Sequence, residues 1–120
     1  MLIDSNIIIY SAQPSYADLR RLIANHAPAV SAISYVEVLG YHRLMEQHRQ
    51  HFVQFFQAAR VLPLSQAVLD QAVALRQRRR MSLGDAIIAG TALAYDLTLV
   101  TRNTEDFQWI DELSLMNPMG

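Results

Sequence analysis

Five short apolar runs, MLI, AVSAI, RVLPL, LTLVT and LSLM, recur along the chain with longer stretches at helical spacing between them. Each run is too short for a core helix and suits a buried strand. Strands that alternate with helices pair in parallel, and their crossovers cover both faces of the sheet. The expected fold class is therefore α/β, with a central, mainly parallel sheet of four to five short strands. No linker, repeat or low-complexity segment interrupts the 120 residues, so a single domain over 1–120 is expected.

Local signals place the elements. The strand in MLI reaches Asp4, and Asp4-Ser5-Asn6 is turn and N-cap chemistry ahead of a helix beginning at Ile7 to Ser11. Ser15 to Asn25 is amphipathic, with Leu19, Leu22 and Ile23 on one side, and Pro28 stops it. A strand over Ala29 to Ile33 follows. Ser34 and Glu37 match a capping box that opens a helix running through VEVLGYHRLMEQ. A further helix spans HFVQFFQAAR, then a strand Arg60 to Leu64. Ser65 caps SQAVLDQAVALRQRRR, whose Val68, Leu69, Ala72, Val73 and Leu75 form an apolar stripe. Ser82 to Tyr95 is a helix apolar on nearly every side, Leu83 included. Leu97 to Thr101 is a strand, Arg102 to Phe107 a loop, and Leu113 to Met116 a last strand.

Composition narrows the chemistry. The chain has no cysteine, which excludes disulfides and thiolate metal sites. All ten basic residues are Arg, so any mechanism that requires Lys is excluded; the planar guanidinium suits phosphate. No run approaches the roughly 18 apolar residues that cross a bilayer, and MLIDSN lacks a basic region before an apolar segment. No membrane role is expected, and a cytoplasmic location fits.

Three carboxylates stand in apolar company: Asp4 in MLIDSNIII, Glu37 in YVEVL and Asp85 in LGDAII. An ionised carboxylate cannot be buried alone; it needs a partner, hydrogen bonds or a metal. Each has a bland reading. Asp85 lies three residues after Ser82, as Glu37 does after Ser34, and Asp4 can cap the helix that follows it. Capping does not preclude function. If the first and LTLVT strands are neighbours, Asp4, Asp85, Thr101, Arg102, Asn103 and Asp106 meet outside the strands' carboxyl ends, with Glu37 in reach from the first turn of its helix. Two such charges about 4 Å apart repel by roughly 4 kcal/mol at an effective dielectric near 20. A divalent cation removes that cost. Oxygen ligands select a hard ion, Mg²⁺ or Mn²⁺. This suggests phosphodiester chemistry with a metal-activated water.

The succession LIDSNIII, SYVEVLGY, SLGDAIIAGTAL and LTLVTRNTEDF resembles the PIN-domain ribonucleases, in particular the VapC-type toxins of type II toxin–antitoxin pairs. The resemblance covers essentially the whole chain. It implies a three-layer α/β/α fold and Mg²⁺-dependent endonucleolytic cleavage of RNA, with Mn²⁺ able to substitute. It implies that Asp4, Glu37 and Asp85 are catalytic acids that hold the metal. The fourth corner falls in TRNTEDF, where this chain has Asn103 and many members have Asp; Asp106 is the nearby acid that can supply the charge. Ser5 stands where Thr is usual and keeps the hydroxyl. Ser5, Asn6, Thr101 and Arg102 are expected to contact substrate. The expected partners are RNA, a cognate antitoxin protein and a second copy in a homodimer.

Other features carry less. Arg76, Arg78, Arg79 and Arg80 suit a solvated helix C-terminus or a phosphate-contacting patch. His48 and His51 share a face, but no third ligand supports zinc. Phe52, Phe55 and Phe56 suit core or dimer packing. A response-regulator-type receiver would need a Lys, and a haloacid-dehalogenase-like phosphatase an Asp where Asn6 stands; both are disfavoured. A catalytically degenerate PIN domain that binds RNA or protein is the remaining alternative, suggested by Asn103.

Overall fold

The computed structural model describes residues 1–119. Five strands form one sheet: β1 (Leu2–Ile3), β2 (Ala29–Ser31), β3 (Arg60–Leu62), β4 (Leu99–Val100) and β5 (Leu115–Met116). Their order is β3-β2-β1-β4-β5 and every pairing is parallel. Six α-helices connect them: α1 (Ser5–Ser11), α2 (Ala17–His26), α3 (Ala32–Leu39), α4 (Glu46–Ala58), α5 (Gln66–Arg78) and α6 (Leu83–Ala94). Single 3₁₀ turns occupy Pro14–Tyr16 and Thr104–Asp106.

The two-residue period of a strand separates the core into two. Leu2, Ala29 and Leu99 pack with Leu75 of α5 and Ile88, Ala89 and Ala92 of α6. Their neighbours Ile3, Val30 and Val100 pack with Ile7 and Ile8 of α1, Leu19 of α2, Val38 of α3, and Phe52 and Phe56 of α4. Helices therefore cover both faces, and the fold is the expected three-layer α/β/α arrangement. Against α5, Gly90 of α6 comes so close that a Cβ there would lie 2.9 Å from the Val68 carbonyl oxygen. No helix among the described residues is long and apolar enough to cross a membrane.

Several boundaries differ from the sequence reading. β2 ends at Ser31, and Ser31 caps α3 by accepting the Ile33 amide at 3.2 Å. Ser34 is thus not the cap; it is fully buried inside the helix, and no capping box with Glu37 forms. α3 stops at Leu39, where the Gly40 amide donates back to the Val36 carbonyl at 2.8 Å, so the helix does not run through to Gln47. α4 then begins at Glu46 rather than at His51. The α5 stripe is narrower than its sequence suggests: Val68, Ala72 and Leu75 are buried, whereas Leu69 and Val73 face outwards. Leu83, expected inside, is 59% exposed, because it opens α6 before that helix enters the core.

Chain order explains where a site forms. From β1 the chain goes to β2 and β3 on one side, then returns to β4 and β5 on the other. The order reverses between β1 and β4, and ligands in such sheets bind outside the strands' carboxyl ends at that switch point.

Candidate active site

Asp4 follows β1 directly. Its backbone is extended (φ −72°, ψ 157°), and its Oδ1 accepts the Ser5 amide at 2.7 Å, capping α1. Its Oδ2 accepts the Thr101 hydroxyl at 2.8 Å. Thr101 leaves β4, whose Val100 is registered against Ile3 of β1. Capping and site placement are therefore the same fact here, since the cap sits at the switch point.

Asp4 is 5% exposed. Burial pushes its carboxyl up to about 6, the Thr101 and Ser5 hydrogen bonds pull it back, and the charges of Asp85 and Glu37 raise it further. No cation among the described residues forms an ion pair with it.

Asp85 lies in the first turn of α6, whose cap, Ser82, accepts the Asp85 amide at 3.1 Å. It is half-buried. Burial raises its carboxyl, Ser82 opposes this, and the charges of Asp106 and Glu37 raise it again. Asp106 closes the 3₁₀ turn after β4, so the loop does bring an acid towards Asp85.

Glu37 departs from the expectation of burial. It sits in the second turn of α3, not the first, and is exposed together with Tyr35 and Val36. Its reach into the cluster comes from its length. Oε1 accepts the Ser5 hydroxyl at 2.7 Å, and Oε2 lies against the backbone of Gly84 in the first turn of α6.

The remaining residues singled out from the sequence gather at the same end. Asn6 bridges to the β4 exit: its Nδ2 lies 3.5 Å from Thr101 Oγ1 and its Oδ1 accepts the Arg102 amide at 3.4 Å. The Arg102 guanidinium stacks over the Tyr10 ring, 4.7 Å from its centroid, and donates to the Tyr10 hydroxyl. Asn103 is exposed, and its amide donates to Thr101 Oγ1 at 3.1 Å. All nine residues thus meet at the ends of β1, α3 and β4 and the start of α6. Sequence reasoning gave Ser34 and Gly84 no place in the site. Ser34 lies one helical turn before Glu37, on the same face, and Gly84 adjoins Asp85; those spacings were the available signals.

The donors fit a divalent cation. They are oxygen ligands; burial first, and then the charges of neighbouring acids, raise the carboxyl groups of Asp4 and Asp85, and no cation among the described residues pairs with either. Among the described residues no three acidic or histidine side chains enclose an ion by themselves. An open site is what a magnesium-like ion takes, since it keeps several waters and needs only one or two carboxylates before substrate phosphate arrives.

Comparisons with known proteins bear on the family and the fold. The family model "PIN domain" matches residues 1–113. A toxin–antitoxin complex from Klebsiella pneumoniae contains a chain 30% identical, covering 98% of this chain and 96% of its own, with a TM-score of 0.77. VapBC2 from Rickettsia felis, solved on a DNA fragment from its promoter, matches at 25% identity over 97% and 96%, with a TM-score of 0.80. FitAcB from Neisseria gonorrhoeae matches at 25% over 98% and 97%, with a TM-score of 0.76. Comparison with curated proteins finds no match. A five-stranded parallel sheet with acids gathered at its switch point, and a family match over nearly the whole chain, lead to one assignment: the chain belongs to the PIN-domain family, and it is similar to chains of toxin–antitoxin complexes, VapBC2 among them.

Proposed function

We propose that the chain acts as a single PIN domain, a Mg²⁺-dependent endoribonuclease that serves in the cytoplasm as the toxin of a toxin–antitoxin pair. The supporting observation is the meeting of Asp4, Asp85 and Glu37 at the carboxyl end of the sheet, where none of the three forms an ion pair among the described residues. These three residues would hold the ion, with Mn²⁺ able to replace it. When bound, the ion supplies Lewis acidity at the scissile phosphate and offsets the charge that develops there.

The chain's own groups do the positioning. The Ser5 amide and the Thr101 hydroxyl fix the two oxygens of Asp4, so the carboxylate meets the ion without losing rotamer freedom on binding. Arg102, already stacked on Tyr10, offers its planar fork to an RNA phosphate. Asn6 holds the backbone from which Arg102 projects. Asn103 brings a neutral carbonyl where an acid is usual, and Asp106 supplies charge near Asp85 instead. The toxin role rests on the relatives, which are toxin–antitoxin complexes; an antitoxin protein and a second copy of the chain are the proposed partners.

One observation favours a second reading, a PIN domain that binds RNA without cutting it: Asn103 subtracts a charge from the site. Purified protein incubated with RNA decides between them. Cleavage that needs Mg²⁺ and stops with EDTA and with Asp4→Asn supports the nuclease. RNA binding with no metal-dependent cleavage supports the binding module.

A further inference from the structure

Ser5 Oγ lies 2.7 Å from Glu37 Oε1 and 2.9 Å from Ser34 Oγ. A hydroxyl carries one proton, and an ionised carboxylate only accepts. Ser5 must therefore donate to Glu37, and Ser34 must donate to Ser5. The chain of bonds has one direction, from a fully buried hydroxyl to an exposed carboxylate. Donation into Ser5 polarises it and strengthens its bond to Glu37. Glu37 has no other hydrogen-bond donor among the described side chains; on an exposed side chain this one contact selects the rotamer.

The other carboxylate oxygen is limited by shape. A Cβ at Gly84 would lie 2.5 Å from Glu37 Oε2 and 3.3 Å from its Cδ. Gly84 lies inside the first turn of α6 with ordinary helical φ, so backbone conformation does not require glycine there. What it provides is room. The obstructing atom is the far end of a flexible side chain, so a methyl group would displace the carboxylate and leave the helix in place.

We propose that Ser34, acting through Ser5, and Gly84, by leaving space, are positioning residues that aim the Glu37 carboxylate at the divalent cation. The proposal rests on the metal-dependent reading above. Outer groups that orient a ligand commonly contribute about 10- to 100-fold in metal affinity.

The test titrates Mn²⁺ into the full chain and follows loss of the free-ion electron paramagnetic resonance signal. Gly84→Ala is expected to weaken binding about tenfold while the metal-free Tm stays level or rises, since Ala favours helix over Gly. Ser34→Ala is expected to weaken it in the same direction. In a Glu37→Gln background, Gly84→Ala should have no further effect, because both changes act through one carboxylate. Unchanged Mn²⁺ affinity in Gly84→Ala, or full additivity with Glu37→Gln, overturns the proposal. A different result separates the two levels: if the unsubstituted chain takes up no more Mn²⁺ than Asp4→Asn, the metal-dependent reading itself fails and the positioning proposal fails with it.

Discussion

Two ends of the molecule concentrate like charge, and they handle it in opposite ways. At the end of α5, Arg78 pairs with Glu112 at 3.2 Å, and Arg78 and Arg79 both lie over the Trp109 ring, 5.4 and 5.5 Å from its centroid. Arg78 and Glu112 are well exposed, so water also screens them. At the switch point, Asp4 accepts the Ser5 amide and the Thr101 hydroxyl, Glu37 accepts the Ser5 hydroxyl, and no cation among the described residues forms an ion pair with either of them or with Asp85. The titrations mirror this. The Glu112 carboxyl is lowered, by its own backbone amide first and by Arg78 next, whereas those of Asp4 and Asp85 are raised. A hollow of about 610 Å³ lies beside the compensated end, lined by Leu75, Arg78, Asp96 and Glu112, and includes none of the acids of the switch point. Uncompensated charge, rather than cavity size, marks the site.

That contrast can be broken at the acidic end with the largest effect. Asp4→Asn and Asp85→Asn are each expected to reduce RNA cleavage about 1,000-fold, the order of several kcal/mol of charge stabilisation, with circular dichroism unchanged. A fluorogenic RNA assay reads this, and retained cleavage in both variants would show that the acids do not carry the chemistry.

Stability gives the next effect, with a definite sign. The folded Asp4 carboxyl titrates near 6, above its ordinary 3.8, so the folded state favours the proton. Stability from this group is full at low pH and is lost as pH rises from about 4 through about 6. Two pH units correspond to about 3 kcal/mol. In EDTA at pH 7.5, Asp4→Asn should therefore unfold at higher urea than the unsubstituted chain, and at pH 4 the two should coincide. A variant less stable at pH 7.5 would mean that the cap hydrogen bonds outweigh the buried charge.

A smaller effect is expected at Arg102. Arg102→Ala removes a charge-assisted phosphate contact and should raise KM about 10-fold with kcat little changed. Loss of kcat alone would place Arg102 at the reacting phosphate instead. The least effect belongs to the compensated end. A double-mutant cycle on Arg78 and Glu112 should give a coupling below about 1 kcal/mol, abolished by salt, with cleavage unaffected.

Most of the architecture was legible because it follows from periodicity. The short strand runs and their parallel pairing follow from strand–helix alternation; the meeting of Asp4 with Thr101 depended on β1 and β4 being neighbours, which only the pairing of Ile3 with Val100 establishes. The misreadings arose where two local signals competed. Ser31 and Ser34 both offer a hydroxyl ahead of Glu37, and only the end of β2–β3 pairing at Leu62 decides that Ser31 caps α3. Glu37 looks buried beside Tyr35 and Val36, yet all three face outwards because α3 turns its other side to Ile8 and Phe52 through Val38. Gly84 could not be placed at all, since its neighbour in space, Glu37, is 47 positions away in the chain.

The central claim is that carboxylates from three separate elements are left without a counter-charge so that they bind a doubly charged ion. Anomalous scattering from a crystal soaked in Mn²⁺ tests it most directly. The account predicts a peak in contact with Asp4 and bordered by Asp85 and Glu37. Saturating Mn²⁺ that leaves this position empty, or settles at the exposed acids elsewhere, would contradict it.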